Sequence, residues 1–265
     1  MDDRLEEVRR LVHEHLNAAM IMVKLDTPLD PAMPIAEAIA YLERNEFDLA
    51  LLGGDDLRIV YRDALSKVGD AAQAEPVESQ WSSPRADRLV DHTVALGEVA
   101  RRLENDEVPL LLVGHTGPEF IITRADFTRP AGLAGVLAVI AALDAQLDQL
   151  LHPFDDEAWP LLADDRREKI GFYVDRAHRR SEEVHRLSYL MLGERFMLVR
   201  TLDLGRRLGA DLGDESEHVR VTRVRNAIAH GRPVQSGSEV IPALAIAERI
   251  LGSLDGVLAA AESEH

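Results

Sequence analysis

The amino-terminal half of this chain is organised around VALGEVARRLENDEVPLLLVGHTGPEFIITRADF (residues 94–127), which matches IAEAIAYLERNEFDLALLGGDDLRIVYRDAL (residues 35–65) element for element. Each stretch predicts a helix, an apolar strand, a turn and a second strand that enters another helix. The two copies are about 60 residues apart, and such a repeat predicts two units that pack together, since each alone buries too little apolar surface. We place the units at about 20–68 and 86–130, within an α+β region that spans 20–130.

The residues before the repeat predict an amphipathic helix over 1–19. Its apolar positions recur at about 3.6 residues, with acidic and basic side chains between them. These positions are Leu5, Val8, Leu11, Val12 and Leu16. We expect this helix to pack on the domain that follows or on a partner subunit.

The composition limits both the chemistry and the compartment. The 265 residues include no cysteine, which excludes disulfides, thiolate metal sites and cysteine nucleophiles and is typical of a reducing compartment. The amino terminus is charged and lacks the apolar core of a secretory signal, and the apolar run over 131–143 is too short to span a bilayer. We therefore expect a cytoplasmic protein with no membrane partner, in which that run forms a buried helix.

The charge is large and unevenly distributed. A net charge of −17 makes the whole chain a poor general binder of nucleic acid, because attraction to phosphate supplies most of that affinity. Residues 166–232 nevertheless contain 15 Lys/Arg and 10 Asp/Glu. This local excess permits a polyanionic substrate in the carboxy-terminal half, although a solvated helical surface explains it equally well.

The alternation of strands and helices ends at Pro130, and the periodicity beyond it predicts an all-α domain of about five helices over 131–265. Near the end of this domain stands RNAIAHG, residues 225–231. Gly231 suits a left-handed position just after a helix, and Pro233 prevents the helix from continuing.

The side chains of this motif suit phosphate chemistry. RNA can be cleaved without a metal through its own 2′-hydroxyl, which requires a group that moves protons near neutral pH, and His230 fits that role. The permanent charge of Arg225 suits the developing charge on phosphate oxygens. Asn226 lies one turn before His230 and is placed to orient its imidazole. The alternative is a purely structural helix end, with a capping histidine and a salt-bridged arginine.

We predict no metal site. His178 and His185 are seven residues apart and would share one face of a predicted helix, so a metal pair is conceivable. No third ligand is evident, and exposed histidines on a charged helix are the simpler interpretation.

The repeat ending in IxTRxDF resembles a pair of CBS domains, also called a Bateman module. The resemblance implies that Thr123 and Asp126 hold the ribose of an adenine nucleotide and that Arg124 meets phosphate. In the first unit Tyr61 and Ala64 occupy the positions of the threonine and the aspartate, which implies one competent site rather than two, because alanine accepts no hydrogen bond. The resemblance therefore implies AMP, ADP, ATP or a dinucleotide as a regulatory ligand. The alternative is a degenerate pair that only dimerises or holds the other domain.

The pattern RNxxxHG in a helical bundle resembles the HEPN superfamily, over roughly residues 131–265. This resemblance implies that Arg225 and His230 are catalytic, that Asn226 is their polar neighbour, and that the protein acts on RNA as a homodimer without a metal. Together the two resemblances predict an α+β CBS-like pair followed by an all-α HEPN-like bundle, in a nucleotide-regulated, metal-independent endoribonuclease. The alternative is a non-catalytic nucleotide-sensing regulator, or a toxin–antitoxin or defence protein with an antitoxin-like partner.

Overall fold

A computed structural model describes residues 16–24, 28–45, 47, 49–53, 58–82, 89–104, 110–113, 120–234 and 236–263 of the chain. Most of the helix predicted over 1–19 lies outside these residues. Its last part is a 3-10 turn at Ala18–Met20, where the side chain of Asn17 accepts a hydrogen bond from the backbone N–H of Ala19.

The repeat predicted from sequence forms two hairpins with the same register. The strands are β1 (Val23–Lys24), β2 (Leu49–Leu52), β3 (Arg58–Tyr61), β4 (Leu89–Val90), β5 (Leu110–Val113) and β6 (Phe120–Thr123). In the first hairpin Leu49 is paired with Tyr61, and in the second Leu110 is paired with Thr123. The second hairpin belongs to a four-stranded sheet of order β1-β6-β5-β4. Because β1 precedes the first hairpin yet pairs with β6, the chain ties the two units together.

Helices account for the rest of the regular structure. They are α1 (Ile35–Arg44), α2 (Arg62–Leu65), α3 (Leu96–Glu104), α4 (Pro130–Leu151), α5 (Asp155–Ala158), α6 (Asp164–His178), α7 (Leu192–Thr201), α8 (Leu204–Leu208), α9 (Glu215–Ala229) and α10 (Gly237–Ser263). After Thr123 the described residues contain no strand, so the carboxy-terminal half is helical, as predicted.

The first unit has a core of its own. Its apolar side chains come mainly from α1, β2, β3 and the segment after α2, and they include Ile35, Leu42, Val60, Leu65 and Val77. The segment between the two predicted units contributes Val77, which is fully buried, so this segment packs against the first unit. A small cluster of Leu49 and Ile59 with Ile121 of β6 joins the two units.

The second unit shares one core with the helical half. Leu96, Leu103 and Phe127 of the second unit belong to the same buried cluster as the apolar residues of α4 and α10. The approach is close, because a side chain at Gly132 of α4 would collide with the carbonyl of Asp126 and lie 2.7 Å from the Cα of Phe127. The predicted boundary at residue 130 is thus a change of secondary structure within one packed body.

The apolar run over 131–143 lies in the core helix α4. Among the described residues, one helical stretch, Pro130–Leu161, is long and apolar enough to cross a membrane by length and composition, with a mean hydropathy of 1.6. Half of its most apolar window is buried inside this chain, and a core helix of a soluble protein passes the same test.

Candidate functional site

The predicted motif lies at the end of α9. The helix begins with a capping box, in which the Asp214 carboxylate accepts from the backbone N–H of Glu217 at 3.0 Å while Glu217 accepts from that of Asp214 at 3.0 Å. It ends at Ala229, and Gly231 has a φ of 61°. The left-handed glycine predicted at the helix end is therefore confirmed.

The three motif side chains differ in exposure and in partners. Arg225 is half-buried, and its Nη1 donates a hydrogen bond to Oδ1 of Asn226 at 3.1 Å. His230 is exposed, and its backbone N–H donates to the carbonyl of Asn226 at 3.1 Å. Within the described part of the chain the His230 ring has no hydrogen bond or ion pair. The Asn226 side chain thus holds the guanidinium, in contrast to the expectation that it orients the imidazole.

A charged network lies in the core beside Arg225. Arg195 of α7 is 5% exposed, and it donates to Oδ1 of Asp144 at 2.6 Å and to Oδ1 of Asp148 at 3.1 Å. Burial raises the pKa of Asp144, while Arg195 and, more weakly, Arg225 act to lower it. Because Asp144 is already paired with Arg195, its negative charge offsets the positive charge of Arg225 only in part.

The arginines of the helical half fall into two groups. Eight of them form ion pairs: Arg166, Arg167, Arg186, Arg195, Arg200, Arg206, Arg207 and Arg249. No ion pair with a described residue is formed by the other seven: Arg176, Arg179, Arg180, Arg220, Arg223, Arg225 and Arg232. Four of these seven lie along α9 and just after it, in a chain of net charge −17.

The predicted nucleotide-binding turn follows β6. Oδ2 of Asp126 accepts from the backbone N–H of Thr123 at 2.7 Å and from its hydroxyl at 2.8 Å. Oδ1 of Asp126 lies 3.0 Å from Nη1 of Arg129, whose side chain is 58% exposed. Asp126 itself is only 2% exposed. Both carboxylate oxygens are thus engaged within the turn, and a ribose hydroxyl would have to replace one of these partners.

Arg124 does not face the same way as the other two predicted ligands. Its Nε and Nη2 donate to the carbonyl of Leu103, at 3.1 and 2.7 Å, so its guanidinium covers the end of α3. Its own carbonyl lies where a side chain at Gly237 would be, at the start of α10. The structure therefore brings Thr123 and Asp126 together. The guanidinium of Arg124 faces α3 instead, and its carbonyl faces the helical half.

The equivalent turn of the first unit lacks this bonding. Tyr61 makes no capping hydrogen bond, and Asp63 and Ala64 are exposed. Leu65 is buried in the first core, as Phe127 is in the second. The repeat has preserved the apolar anchor of the turn and not its polar bonds, as expected from Tyr61 and Ala64.

His178 and His185 do not share a helix, in contrast to the prediction. α6 ends at His178, whereas His185 lies in the next segment, where its Nδ1 accepts from the backbone N–H of Leu187 at 3.3 Å. The ring of His185 packs against that of His152, with centroids 4.0 Å apart and planes tilted by 37°. Burial lowers the pKa of His185, and His152 lowers it further. Among the described residues no group of three or more side chains could hold a metal ion.

One feature had no signal in the sequence. A cleft of about 730 Å³ lies between α3, α9 and α10, and it is lined by charged side chains of both signs, including Arg101, Glu104, Arg220 and Glu248. It forms because α10 packs on α3, and no local pattern reports a contact between segments so far apart in the chain.

No protein-family model matches this sequence, and no curated protein is significantly similar to it. Several solved structures of CBS-domain proteins resemble part of it. The CBS domain of a bacterial CNNM/CorC family Mg²⁺ transporter in complex with ATP shows 12% identity and a TM-score of 0.36, over 47% of this chain and 92% of that one. A hemolysin-like CBS protein of Oenococcus oeni shows 15% identity and a TM-score of 0.35, over 46% and 93%. The hexameric CBS-CP12 protein from bloom-forming cyanobacteria shows 14% identity and a TM-score of 0.37, over 71% and 94%.

These similarities carry no functional argument at such scores. The class of the amino-terminal half rests on its own features: two hairpins in the same register, each followed by a helical turn with a buried apolar anchor. The structure therefore shows a duplicated α+β pair joined to a helical half.

Proposed function

We propose that this protein is a nucleotide-regulated, metal-independent endoribonuclease, whose HEPN-like helical half cleaves RNA and whose CBS-like pair senses an adenine nucleotide. The observation that carries the proposal is the state of Arg225 and His230. Neither forms an ion pair with a described residue, and His230 is exposed, whereas eight other arginines of the same half are paired with carboxylates. An arginine without an ion pair and an exposed imidazole in one short motif suit a phosphodiester.

The reaction that these side chains support is transesterification. The neutral imidazole of His230 takes the proton of the 2′-hydroxyl while its oxygen attacks the adjacent phosphorus. The bond from phosphorus to the 5′-oxygen breaks, and the leaving oxygen takes a proton from a protonated histidine. The products are a 2′,3′-cyclic phosphate and a 5′-hydroxyl. Arg225 stabilises the charge that builds up on the non-bridging oxygens.

A homodimer supplies the second histidine. One imidazole must be neutral and the other protonated at the start of the reaction, and one chain has a single histidine in the motif. Two copies that meet near the end of α9 would place two imidazoles and two guanidinium groups at one cleft. Asn226 assists by holding the guanidinium of Arg225.

Regulation by an adenine nucleotide at Thr123 and Asp126 is supported by the packing of the turn, and a phosphate contact with Arg124 would require its guanidinium to leave the carbonyl of Leu103. The carbonyl of Arg124 touches the start of α10 at Gly237, and the carbonyl of Asp126 touches α4 at Gly132. A ligand that takes the place of Arg129 on Asp126 would therefore move backbone that contacts both helices. Regulation requires that the nucleotide bind the active and inactive arrangements with different affinity.

The test is cleavage of a fluorescent single-stranded RNA by the wild type, by His230→Ala and by the control Arg206→Gln, which changes an exposed, paired arginine. We expect His230→Ala to lower the rate by about 10²–10⁴ and the control to leave it unchanged.

Each protein is assayed with and without AMP, ADP, ATP and a dinucleotide, and calorimetry measures nucleotide binding to the wild type and to Asp126→Ala. Equal rates in wild type and His230→Ala would reject the enzyme, and binding that is unchanged in Asp126→Ala would reject this nucleotide site.

The competing interpretations give different results in the same assays. A non-catalytic nucleotide-sensing regulator binds nucleotide and cleaves no RNA. A toxin or defence protein slows growth when it is expressed alone, and co-expression of an antitoxin-like partner relieves the effect.

A further inference from the structure

The helix α6 has an exposed aromatic cluster that the proposed reaction does not use. Phe172 is 58% exposed and Tyr173 is 36% exposed. Their rings meet edge to face with centroids 5.8 Å apart, and Tyr173 stacks on Tyr189 with centroids 5.6 Å apart and planes 20° apart. Large exposed apolar side chains that are held in a fixed cluster mark a contact surface.

The same helix and the turn after it contain unpaired cations. The exposed basic side chains are Lys169 and Arg176 within α6, and Arg179 and Arg180 just after its end at His178. The spacing of Lys169 and Arg176, at −3 and +4 from Phe172, places them on the side of α6 that carries Phe172. None of them forms an ion pair with a described residue, whereas Arg166 and Arg167, near the start of α6, are paired with Glu194 and Asp164. The aromatic–basic face of α6 consists of these four cations with Phe172, Tyr173 and Tyr189.

Acidic side chains of α6 frame this face. Asp165 lies at its amino-terminal end, and Glu168 and Asp175 lie along one edge. Glu182 and Glu183 follow Arg180 in the next segment, so the region has charges of both signs, in a chain whose net charge is −17. The attraction of each cation is short-ranged and acts on a phosphate that lies against it.

We propose that the aromatic–basic face of α6 binds single-stranded RNA, with bases stacked on Phe172 and Tyr173 and phosphates against the arginines. The inference rests on the proposed function and names the part of its substrate that lies outside the reacting phosphate. Alternating aromatic and basic side chains suit a single strand, because every base offers a stacking face and every linkage a charge. An acidic protein surface would also pair with these cations, and the self-association measurement below tests a second copy of the chain as the occupant.

The start of α7 links this face to the motif on α9. Glu194 of α7 binds Arg166 of α6, with its Oε1 2.5 Å from Nε. A side chain at Gly193 would lie 3.5 Å from Thr222 of α9, one turn before Asn226. The start of α7 thus connects the amino-terminal part of α6 with the middle of α9.

The experiment measures binding by fluorescence anisotropy, with a labelled uridine-rich strand of about 12 nucleotides. All proteins are full-length and have His230→Ala, so that the strand is not cleaved. We expect Phe172→Ala to weaken binding about 5-fold to 100-fold, since the removal of one stacking side chain costs that much. We expect Arg176→Gln to lower the slope of log affinity against log salt by about 0.7. The matched controls are Trp81→Ala, which removes an aromatic ring that is 45% exposed in the segment after the first unit, and Arg206→Gln.

Two outcomes overturn the proposal. One is equal affinity in Phe172→Ala, Trp81→Ala and the parent protein, which includes the absence of binding in all three. The other is a Phe172→Ala variant that loses self-association in light scattering and keeps its RNA affinity, which assigns the face to a second copy of the chain. The failure of the proposed function is separate: it appears as unchanged cleavage in His230→Ala, whatever the anisotropy shows.

Discussion

At the turn after β6 both carboxylate oxygens of Asp126 have partners within the turn, whereas at the end of α9 the side chains of Arg225 and His230 have no ionic partner among the described residues. Both regions were predicted from short motifs of polar residues. The first has the bonding of a well-made helix cap, and the second has chemical groups that remain available.

The difference bears on how a polar motif should be judged. A buried carboxylate with three bonds in its own turn stabilises that turn, and a ligand must compete with those bonds. A half-buried guanidinium whose one hydrogen bond goes to a neutral amide remains available for an ionic contact with a substrate. Substitutions at the turn should therefore act mainly on stability, and substitutions at the end of α9 mainly on activity.

The largest effect is expected for Arg225→Gln. The rate of RNA cleavage should fall by about 10²–10³, because the variant lacks the charge that stabilises the transition state. The melting temperature should change little, because the side chain has one hydrogen bond, to Asn226. Initial rates and circular dichroism melts measure the two quantities, with Arg206→Gln as the control. If Arg225→Gln lost much stability and kept its rate, the end of α9 would have the structural role that is assigned here to the turn after β6.

Asp126→Ala should have the opposite profile. It leaves the backbone N–H of Thr123 without its partner, and it should lower the free energy of unfolding by about 1–3 kcal/mol. Urea denaturation measures this change. Asp63→Ala in the exposed turn of the first unit is the matched control, with an expected change within about 0.5 kcal/mol. Equal losses in the two variants would mean that the bonds of the second turn contribute nothing.

Gly132→Ala tests the contact between that turn and the helical half. The new methyl group would meet the backbone of Asp126 and Phe127, which cannot move aside as a side chain can, so we expect a loss of about 1–3 kcal/mol. Gly171→Ala in α6 is the control, since nothing lies within 4 Å of its position. There alanine should add about 0.4–1 kcal/mol, because it restricts the unfolded chain and favours a helix. Similar changes of the same sign would show that the contact is loose.

The smallest expected effect is a change in the pH dependence of stability, which arises from His218 near the start of α9. His218, near the start of α9, is 5% exposed and stacks on Phe196 with centroids 4.0 Å apart. Burial lowers the pKa of His218 below its ordinary value of 6.5, although its hydrogen bond to the carbonyl of Leu212 opposes the shift. At His218 the unfolded chain therefore binds a proton more readily than the folded chain does. The stability that comes from keeping His218 neutral is present above about pH 6.5 and is lost as the pH falls below it. Melting temperatures from about pH 8 to about pH 5 should decline less in His218→Gln than in the wild type. Parallel declines would exclude His218 as the source.

Local patterns in the sequence were sufficient for much of the fold. The spacing of apolar residues predicted the repeated hairpins and the change to helices, because the periods of strands and helices are set by backbone geometry. Gly231 was predictable for the same kind of reason, since a left-handed residue after a helix favours glycine. The buried anchors Leu65 and Phe127 follow from the repeat itself.

The hydrogen bonds and ion pairs at the turn after β6 and at the end of α9 were harder to predict from the sequence. Thr123 and Asp126 were predicted to act together, and they do so as a cap, while Arg129 and its ion pair were not foreseen. Asn226 was expected to hold His230, and it holds Arg225 instead, because an imidazole at the end of a helix and a neighbouring guanidinium compete for one amide. The aromatic–basic face of α6 was visible as residues, although their exposure was not.

By itself the sequence determined the order of elements, the duplicated unit and the chemical groups present in each motif. Tertiary structure alone decided which of those groups are neutralised. Arg195 binds Asp144 across 51 residues of chain, and this carboxylate forms no ion pair with Arg225. The reason is physical: periodicity is a local property of the backbone, whereas the balance of charge at a site depends on which distant segments the core brings together.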